Sequence, residues 1–464
     1  MTDVSPPRDA GLFQRLAIPT LSARTMGVFR VLFGLGLFYV VLADPPRAQP
    51  LELHRNYSWL ADWPLVHAVA ASATACRVLY ITTLGLAALF TVGLWTRPAY
   101  VALVFGILAS RLVQLHYSGT HDWDLPLLTF FTLTIVPWGD GFSLDARRAR
   151  TVGGAVRAGP LYGLAIWIPG FMLGLALAAA AYAKLTNGGL AWITSGAVKY
   201  HFIEDAANAP FTWGLWVAAH PAAAVLLSLG AVVVEAAFIG VIFVRSVWLR
   251  LLIGVTGLSL FAGFYLFQGV IWRPWLLLYT AFLPWALLDR GASGAVAGAV
   301  PGGVSTAPLR PWHRKVLAAL AVQQVLVSLA GVQVEPLISN FPMYSSTFES
   351  TDAFERTRYR KMQRLLFESG GADVSERVHA ISNAPENLLN AAEDVASDDD
   401  ERDEVMTSLR GVRSEYQARY GADLALVTVI AERVTFNWQQ GAFNPPVRVR
   451  IAEVQLPDAG ASPR

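Results

Sequence analysis

Charged residues are scarce in this sequence. They make up 15% of its 464 residues, whereas 54% are hydrophobic, and soluble domains carry charge on about a quarter of their residues. The shortage is concentrated between Met26 and Trp285, where long stretches hold almost no charge. A soluble core of that size would need a far larger polar shell. The shortage therefore argues against an ordinary soluble protein and predicts that the chain's partner is the lipid bilayer.

Cysteine is also nearly missing, and so is any excess of charge. The single cysteine, Cys76, rules out an internal disulfide and a cysteine-rich metal site, and we interpret it as a small packing residue. A net charge of +2 gives no reason to expect a nucleic-acid partner. The sequence contains no phosphate-binding loop, no GxSxG and no HExxH. Nothing therefore indicates nucleotide hydrolysis or soluble-hydrolase chemistry.

The sequence does contain a series of long apolar segments. A membrane-spanning helix needs about 20 mainly apolar residues, within a range of roughly 17 to 25. The candidate segments, of which the fourth and eighth are short and the ninth contains two glutamines, are 25–42, 78–95, 100–115, 125–138, 161–183, 222–244, 247–270, 275–288 and 316–332. We predict an all-α polytopic membrane bundle of about nine helices, formed by residues 25–333 and preceded by a cytoplasmic leader, residues 1–24, that has no signal-peptide cleavage site.

The basic residues between these segments predict the orientation. With the N-terminus inside, the inner segments hold about fourteen basic residues and the outer loops about six. Inner loops of membrane proteins carry such an excess of lysine and arginine. We therefore predict a multi-pass protein of a bacterial cell (inner) membrane, with a cytoplasmic N-terminus and with residues 334–464 outside the cytoplasm.

Residues 334–464 differ in composition from the rest. Phe354 to Glu368 and Glu401 to Tyr420 mix charged with apolar residues at helical spacing. Leu424 to Trp438 and Val447 to Leu456 alternate in the manner of strands. The pattern predicts a small extracytoplasmic α+β domain, which could bind an extracytoplasmic protein partner.

Ionisable residues at membrane depth are costly, so each of them is a candidate for function. Lys184 lies at the outer end of the fifth segment, where it is either a snorkelling anchor favoured by the helix dipole or an amine kept neutral by an apolar site and able to act as a base. Glu235, in the middle of the sixth segment, has no basic residue within a helical turn, so any partner must come from another helix. Snorkelling at helix ends suffices to explain Arg30 and Arg111.

The outer loop after the third segment holds two histidines and two carboxylates within residues 116–124. A metal site is one interpretation, although His116 and His121 in a loop form a weakly specific pattern, and an interfacial loop with an aromatic belt is the other. The predicted topology places His121 on the same face as Lys184, so the two can share one cavity. His116 is a further candidate for contact with substrate.

Several other residues near Lys184 can line such an outer cavity. They are Tyr182, Trp192, Tyr200 and His201. An aromatic belt at the membrane surface explains these residues equally well. Tyr182 and Trp192, together with Glu235, are our candidates for substrate binding.

These residues occur in a pattern that resembles a known family. The pattern runs from His121 through Leu-Leu-Thr-Phe-Phe-Thr-Leu to Trp-Gly-Asp-Gly-Phe-Ser-Leu-Asp, then through Tyr-Ala-Lys-Leu around Lys184 to Trp192, Glu235 and the Phe-Pro-Met-Tyr-Ser of residues 341–345. It resembles the "horizontally transferred transmembrane" (HTTM) family, which is related to vitamin K-dependent gamma-glutamyl carboxylase. The likeness covers about residues 20–345 and rests on scattered positions.

The resemblance implies an activity and an assignment of roles. The carboxylase uses a reduced quinone together with oxygen and carbon dioxide, so a menaquinol-like hydroquinone is the cofactor or substrate implied here. A lysine of that family deprotonates the hydroquinone, and Lys184 is in the matching position. A histidine of the outer loop contributes to the family's site, and His121 matches it. The site of that family opens to the outer side, where its C-terminal domain also lies.

Three functions stay open on the sequence. The first is a carboxylase-like enzyme that acts on a quinol or another lipid-soluble substrate from the outer leaflet. The second is a non-catalytic scaffold or binding protein that uses its outer domain. The third, less favoured, is a small-molecule transporter, which would need broken helices that meet at mid-membrane.

Overall fold

The computed structural model describes most of the chain, namely residues 16–49, 58–117, 122–150, 157–289, 305–306, 308–334, 336, 338–341, 343–348, 350–358, 363–381, 383–393 and 399–458. Helices dominate it. In chain order they are α1 Ala23–Ala43, α2 Pro64–Ala70, α3 Ala73–Val92, α4 Thr96–Gln114, α5 Asp124–Thr132, α6 Leu144–Arg150, α7 Pro160–Gly188, α8 Ala191–Thr194, α9 Val198–Glu204, α10 Trp213–Ala219, α11 Pro221–Phe238, α12 Val247–Gln268, α13 Arg273–Leu278, α14 Pro311–Ala330, α15 Thr351–Arg358, α16 Ser375–His379, α17 Ala384–Ala392 and α18 Asp399–Tyr420.

The strands are short. They are β1 Leu21–Ser22, β2 Arg157–Gly159, β3 Ser305–Thr306, β4 Arg364–Ser369, β5 Ala372–Asp373, β6 Leu426–Arg433, β7 Phe436–Asn437, β8 Ala442–Phe443 and β9 Val447–Gln455. The first three form a small sheet in the order β1-β2-β3, beside the start of α1.

Six of the described helices are long and apolar enough to cross a membrane: α1, α3, α4, α7, α11 with its 3₁₀ continuation Ile239–Phe243, and α12. They coincide with six of the nine predicted segments and indicate a helical membrane protein. The fourth and eighth segments are shorter, because α5 and α13 each pass into a 3₁₀ turn, Leu133–Ile135 and Tyr279–Phe282. The ninth is α14, whose 20 residues include charged and amide side chains. Nine crossings therefore remain a prediction.

Local signals in the sequence set the helix ends. The hydroxyl oxygens of Ser22, Ser72 and Ser246 each accept the backbone N–H of the third residue onward, which caps the N-termini of α1, α3 and α12. The helices α3 and α12 end at Gly93 and Gly269, which lie in the left-handed backbone region that favours glycine.

The loops gather at two ends of the bundle. At the leader end, named for residues 16–22, the Ser22 hydroxyl donates to the Asp289 carboxylate at 2.6 Å. At the lysine end, named for Lys184, the Gln114 amide donates to the Asp44 carbonyl at 3.1 Å. Each of these contacts joins parts of the chain that are distant in sequence, so each end is held together by side chains from several helices.

The leader end contains a buried arginine. The Arg30 side chain is 0% exposed. Its guanidinium donates to the backbone carbonyls of Trp138 and Phe142, the latter at 2.8 Å. Arg111, at the lysine end, is also buried and lies 3.9 Å from Asp122. The snorkelling interpretation of the two arginines is therefore wrong, since both side chains point into protein.

Aromatic rings and close backbone contacts fill the bundle core. Trp138 contacts Phe29 and Phe33 on α1, with ring centroids 6.1 Å away in both cases. Helix α1 also packs directly on the loop after α5, because a Cβ atom added to Gly27 would lie 2.2 Å from the Gly141 carbonyl oxygen. Only glycine permits this approach.

The C-terminal region contains a four-stranded antiparallel sheet in the order β5-β4-β6-β9. The strands β6 and β9 lie where the alternation predicts them. The helix predicted from Phe354 to Glu368 is wrong in its second half, because α15 ends at Arg358 and residues 364–369 form β4. Pairing of β4 with β6 buries Phe367, and this tertiary contact overrides the local helical spacing.

This region is attached to the bundle by side chains. Arg358 lies 3.5 Å from Glu204 at the end of α9. Tyr200 of the same helix packs against Phe354 of α15, with ring centroids 5.0 Å apart, and against Trp438. The sheet domain therefore lies at the lysine end.

Candidate active site

Lys184 lies one turn before the end of α7, the most deeply buried of the six long helices. Its side chain is only 2% exposed. The ammonium nitrogen is 2.9 Å from each carboxylate oxygen of Glu235 on α11 and donates to the Met343 carbonyl at 2.8 Å. The Trp192 ring lies beneath it, with the nitrogen 5.4 Å from the ring centroid. Lys184 therefore does not snorkel, and its amine is held inside the protein.

Glu235 obtains its partner from another helix, as an isolated carboxylate at that depth requires. The residue is fully buried. The ammonium–carboxylate pair and the amine–carboxylic acid pair both carry a net charge of zero. The proton can therefore lie on either side of the 2.9 Å contact without leaving a net charge in the apolar interior.

A short segment of backbone closes the site from the lysine end. We call residues 343–346 the strap. It accepts four hydrogen bonds from the helices below, three on backbone carbonyls and one on a hydroxyl: Lys184 Nζ to Met343 O at 2.8 Å, Trp192 Nε1 to Tyr344 O at 3.0 Å, Asn187 Nδ2 to Ser345 Oγ at 3.0 Å, and His201 Nε2 to Ser346 O at 3.2 Å.

His201 is the imidazole of this site among the described residues. It is buried and lies edge-on against the Tyr344 ring, with centroids 5.1 Å apart. Burial, together with the nearby positive charge of Lys184, lowers the pKa of His201 to about 4. The ring is therefore neutral at neutral pH. The sequence marks His201 only as one of several residues that can line an outer cavity.

A cavity of about 250 Å³ lies beside the ion pair. Its polar groups include those of Lys184, Glu235, His201 and Gln268, and most of its wall is apolar. The lining residues are Lys184, Trp192, Val198, His201, Phe202, Leu227, Gly230, Ala231, Val234, Glu235, Thr256, Ser259, Leu260, Gly263, Phe264, Phe267, Gln268 and Tyr344. Such a cavity is suited to an apolar ligand with a small number of polar groups.

Gln268, the last residue of α12, is also buried. Its amide oxygen has no hydrogen-bond partner among the residues that the structure describes. A buried acceptor without a partner costs about 1–3 kcal/mol. A ligand that donates a hydrogen bond from within the cavity would remove this cost.

Two other predicted site residues, His116 and Tyr182, do not line this cavity. His121 lies outside the described residues, so its pairing with Lys184 stays a prediction. His116 is buried against His67, with ring centroids 4.8 Å apart, and does not line the cavity. Tyr182 is 41% exposed and does not line it either. Among the described residues, no three histidine, cysteine or acidic side chains lie close enough together to hold a metal ion.

Comparison with known proteins gives no match to any family model, curated protein or solved structure. The function is therefore argued from the geometry of the ion pair and its cavity.

Proposed function

We propose that this chain is a membrane enzyme of the carboxylase-related HTTM type, in which Lys184 takes a proton from a hydroxyl group of a reduced quinone or another lipid-soluble substrate. The observation that carries the proposal is the buried Lys184–Glu235 pair at the polar side of an apolar cavity. A buried ion pair is weak support for stability, because its desolvation offsets much of its Coulomb attraction. A chemical role accounts for its position next to a cavity.

The proposed step uses the proton that the pair shares. When that proton lies on Glu235, the Lys184 amine is neutral and has a free electron pair. It can then accept the proton of a substrate hydroxyl and become an ammonium ion, which stabilises the oxyanion left on the substrate. Gln268 can accept a hydrogen bond from a second hydroxyl, and neutral His201 can relay a proton.

The cavity has room for a substrate of this class. A cavity of about 150 Å³ lined by apolar side chains binds benzene, and the cavity beside Lys184 measures about 250 Å³. Aromatic side chains of Trp192, Phe202, Phe264 and Phe267 line it, and they can pack against a flat ring. A quinone ring combines that flatness with two oxygens, of which one can lie against Lys184 and the other against Gln268.

We also propose nine crossings, with the N-terminus inside the cytoplasm and the C-terminal domain outside. Contacts at both ends of the short segments support this. The chain before α5 lies at the lysine end, where Asp122 is near Arg111, and the chain after it reaches the leader end, where Gly141 packs on α1. The chain of α13 likewise continues to Asp289 at the leader end. This topology opens the cavity toward the outer half of the membrane.

Turnover of purified protein in liposomes tests the proposal. With menaquinol, oxygen and carbon dioxide supplied, we expect formation of the quinone epoxide, and we expect Lys184→Met to lower the rate by about 10²-fold or more, as is typical of a lost acid–base group. Lys315→Met is the matched control, because Lys315 is exposed on α14. It should turn over at the rate of the native chain.

Two results would count against the enzyme. Equal turnover of Lys184→Met and the native chain would eliminate the assigned base. The second result is an absence of turnover together with a cellular function that survives Lys184→Met but is lost when residues 347–464 are deleted. In that case the chain is a scaffold that acts through its outer domain.

A further inference from the structure

The chain passes twice through the same order of elements. Each pass begins with a short strand, β1 or β2, that leads directly into a long helix, α1 or α7. Two more long helices follow, α3 and α4 in the first pass and α11 and α12 in the second. Each pass then ends with a short helix, α5 or α13, that continues into a 3₁₀ turn. Internal repeats build many membrane folds, and we call residues 21–138 and 157–285 the first and second repeats.

The two repeats also end in the same way. Each 3₁₀ turn is followed by one apolar residue, a proline and a tryptophan, which is Trp138 in the first repeat and Trp285 in the second. In both cases the indole N–H donates to the carbonyl five residues earlier, from Trp138 to Leu133 at 3.0 Å and from Trp285 to Thr280 at 2.8 Å. The likeness therefore extends from the order of the elements to individual hydrogen bonds.

The repeats are arranged about an approximate twofold axis. The strands β1 and β2 are antiparallel, with Leu21 opposite Gly159, as a twofold axis between two equivalent strands produces. Contacts between the repeats are exchanged in the same way, because α5 of the first packs on α7 of the second, and α13 of the second packs on α1 of the first. At the latter contact a Cβ atom added to Gly36 would lie 2.3 Å from the Leu277 side chain. The site in one repeat therefore shows where to search the other.

A second cavity lies at the corresponding place in the first repeat. The Lys184 cavity is formed by the three long helices of the second repeat and reaches Gln268, the last residue of α12. The second cavity, of about 220 Å³, lies at the lysine end beside the end of α1 and reaches Gln114, the last residue of α4. Both glutamines are buried. We call this second space the repeat cavity.

Charges of both signs line the repeat cavity. It is lined by the guanidinium groups of Arg111 and Arg273 and by the carboxylates of Asp44 and Asp122. The Arg111 side chain is only 3% exposed, whereas Arg273 and Asp44 are exposed at the rim. The formal charge of these four groups is zero, so a simple anion or cation would face charges of its own sign. A ligand that carries both signs is complementary to them.

The arrangement of the charges suits a compact zwitterion. Arg111 lies 3.9 Å from Asp122, so opposite charges are close together inside the cavity. Gln114 links this arginine to the end of α1, because it accepts from the Arg111 guanidinium at 3.4 Å and donates to the Asp44 carbonyl at 3.1 Å. The C-terminal end of α1 carries the negative end of its helix dipole, which favours a cation near Asp44. Arginine binds phosphate through paired N–H groups.

We propose that the repeat cavity binds a phosphoethanolamine group, with its phosphate against Arg111 and Arg273 and its ammonium against Asp44 and Asp122. The cavity lies where α1 ends and α13 begins, which is the level of the lipid head groups when the long helices cross the bilayer. The group is present in phosphatidylethanolamine and in free phosphoethanolamine, and the chemistry of the cavity fits either. The inference does not depend on the reaction at Lys184.

Native mass spectrometry of the purified full chain tests this. Phosphatidylethanolamine, phosphatidylcholine and phosphatidylglycerol with identical acyl chains are added singly, and free phosphoethanolamine is added in a separate series. We expect phosphatidylethanolamine to bind at least about tenfold more tightly than the other two lipids, because choline cannot donate a hydrogen bond to a carboxylate and glycerol carries no positive charge. Binding of the lipid alone would support a site supplied by the bilayer, and equal affinity for the free compound would support a soluble source. Equal binding of all three lipids without binding of the free compound would overturn the site.

Two variants at the rim locate the site, because exposed side chains can be changed with little effect on folding. Arg273→Gln should weaken binding of phosphatidylethanolamine about tenfold or more. Asp44→Asn should weaken it as well and should raise the affinity for phosphatidylglycerol, since the rim then repels an anion less. Arg97→Gln is the matched control, because Arg97 is an exposed arginine at the opposite end of α4, and it should bind as the native chain does. Native affinity in both rim variants, or an equal loss in Arg97→Gln, would overturn the assignment to this cavity.

Discussion

Replacing Lys184 with methionine should leave the Glu235 carboxylate without a partner inside the bundle. Among the residues that the structure describes, Lys184 is the hydrogen-bond and ion-pair partner of this carboxylate, and both carboxylate oxygens lie 2.9 Å from its amine. Removing one member of a buried ion pair costs about 3–5 kcal/mol. The loss has an upper limit, because a carboxyl with an ordinary pKa can be protonated at pH 7 for about 3.7 kcal/mol.

The reverse change, Glu235→Met, leaves an amine, which can lose its proton at pH 7 for about 4.6 kcal/mol. We therefore expect each single variant to lose about 3–4 kcal/mol of the free energy of unfolding at pH 7. The double variant Lys184→Met/Glu235→Met should recover to within about 2 kcal/mol of the native chain, because two apolar side chains then face each other and only the Met343 carbonyl lacks its donor.

These four proteins form a double-mutant cycle, measured by unfolding with SDS in mixed micelles and followed by tryptophan fluorescence. The dependence on pH has opposite signs in the two single variants. At pH 5 the loss in Lys184→Met should fall to about 1 kcal/mol, and at pH 9 the loss in Glu235→Met should fall to about 2 kcal/mol. Additive losses, or losses that do not change with pH, would refute the buried pair. The double variant, stable but without its base, then provides a folded protein for the activity assay.

Two further predictions concern stability. The pKa of His201 is lowered to about 4 from its ordinary 6.5, so the unfolded chain binds the proton first, and each pH unit of acidification from 6.5 to 4 should lower the free energy of unfolding by about 1.4 kcal/mol. His201→Asn should lack this loss when melting temperatures at pH 7.5 and pH 5 are compared. The opposing effect of Asp205, whose pKa is raised to about 6, is common to both chains and cancels. Gly27→Ala should lower the melting temperature and cost about 1–3 kcal/mol of the free energy of unfolding, because its Cβ atom would lie 2.2 Å from the Gly141 oxygen. Gly85→Ala, in open space, should not lower the melting temperature. Equal melting temperatures of Gly27→Ala and the native chain would contradict the packing of α1.

The apolar segments locate the long helices because the bilayer imposes its requirement on each segment separately. Lys184 and Glu235 stand out for the same local reason, since a charge in an apolar segment is visible without any tertiary information. Their contact is not visible, because it joins residues 51 apart on two helices. The sequence indicates only that Glu235 needs a partner from elsewhere.

Other features depend on contacts that no local pattern carries. The strap lies 159 residues after Lys184 in the chain, and its role comes from backbone carbonyls, which every residue has. The error at β4 has a similar cause, since Leu366 and Phe367 suit a helix or a strand until β6 lies beside them.

The strap has a consequence for biosynthesis. Chains are made from the N-terminus at about 5–20 residues per second, so the Met343 carbonyl leaves the ribosome roughly 8 to 30 s after Lys184. During that interval the amine of α7 is in the nascent bundle without one of its acceptors, and Trp192, Asn187 and His201 lack theirs as well. The surroundings of Lys184 are thus complete only when translation has passed the last long apolar helix and has reached the strap.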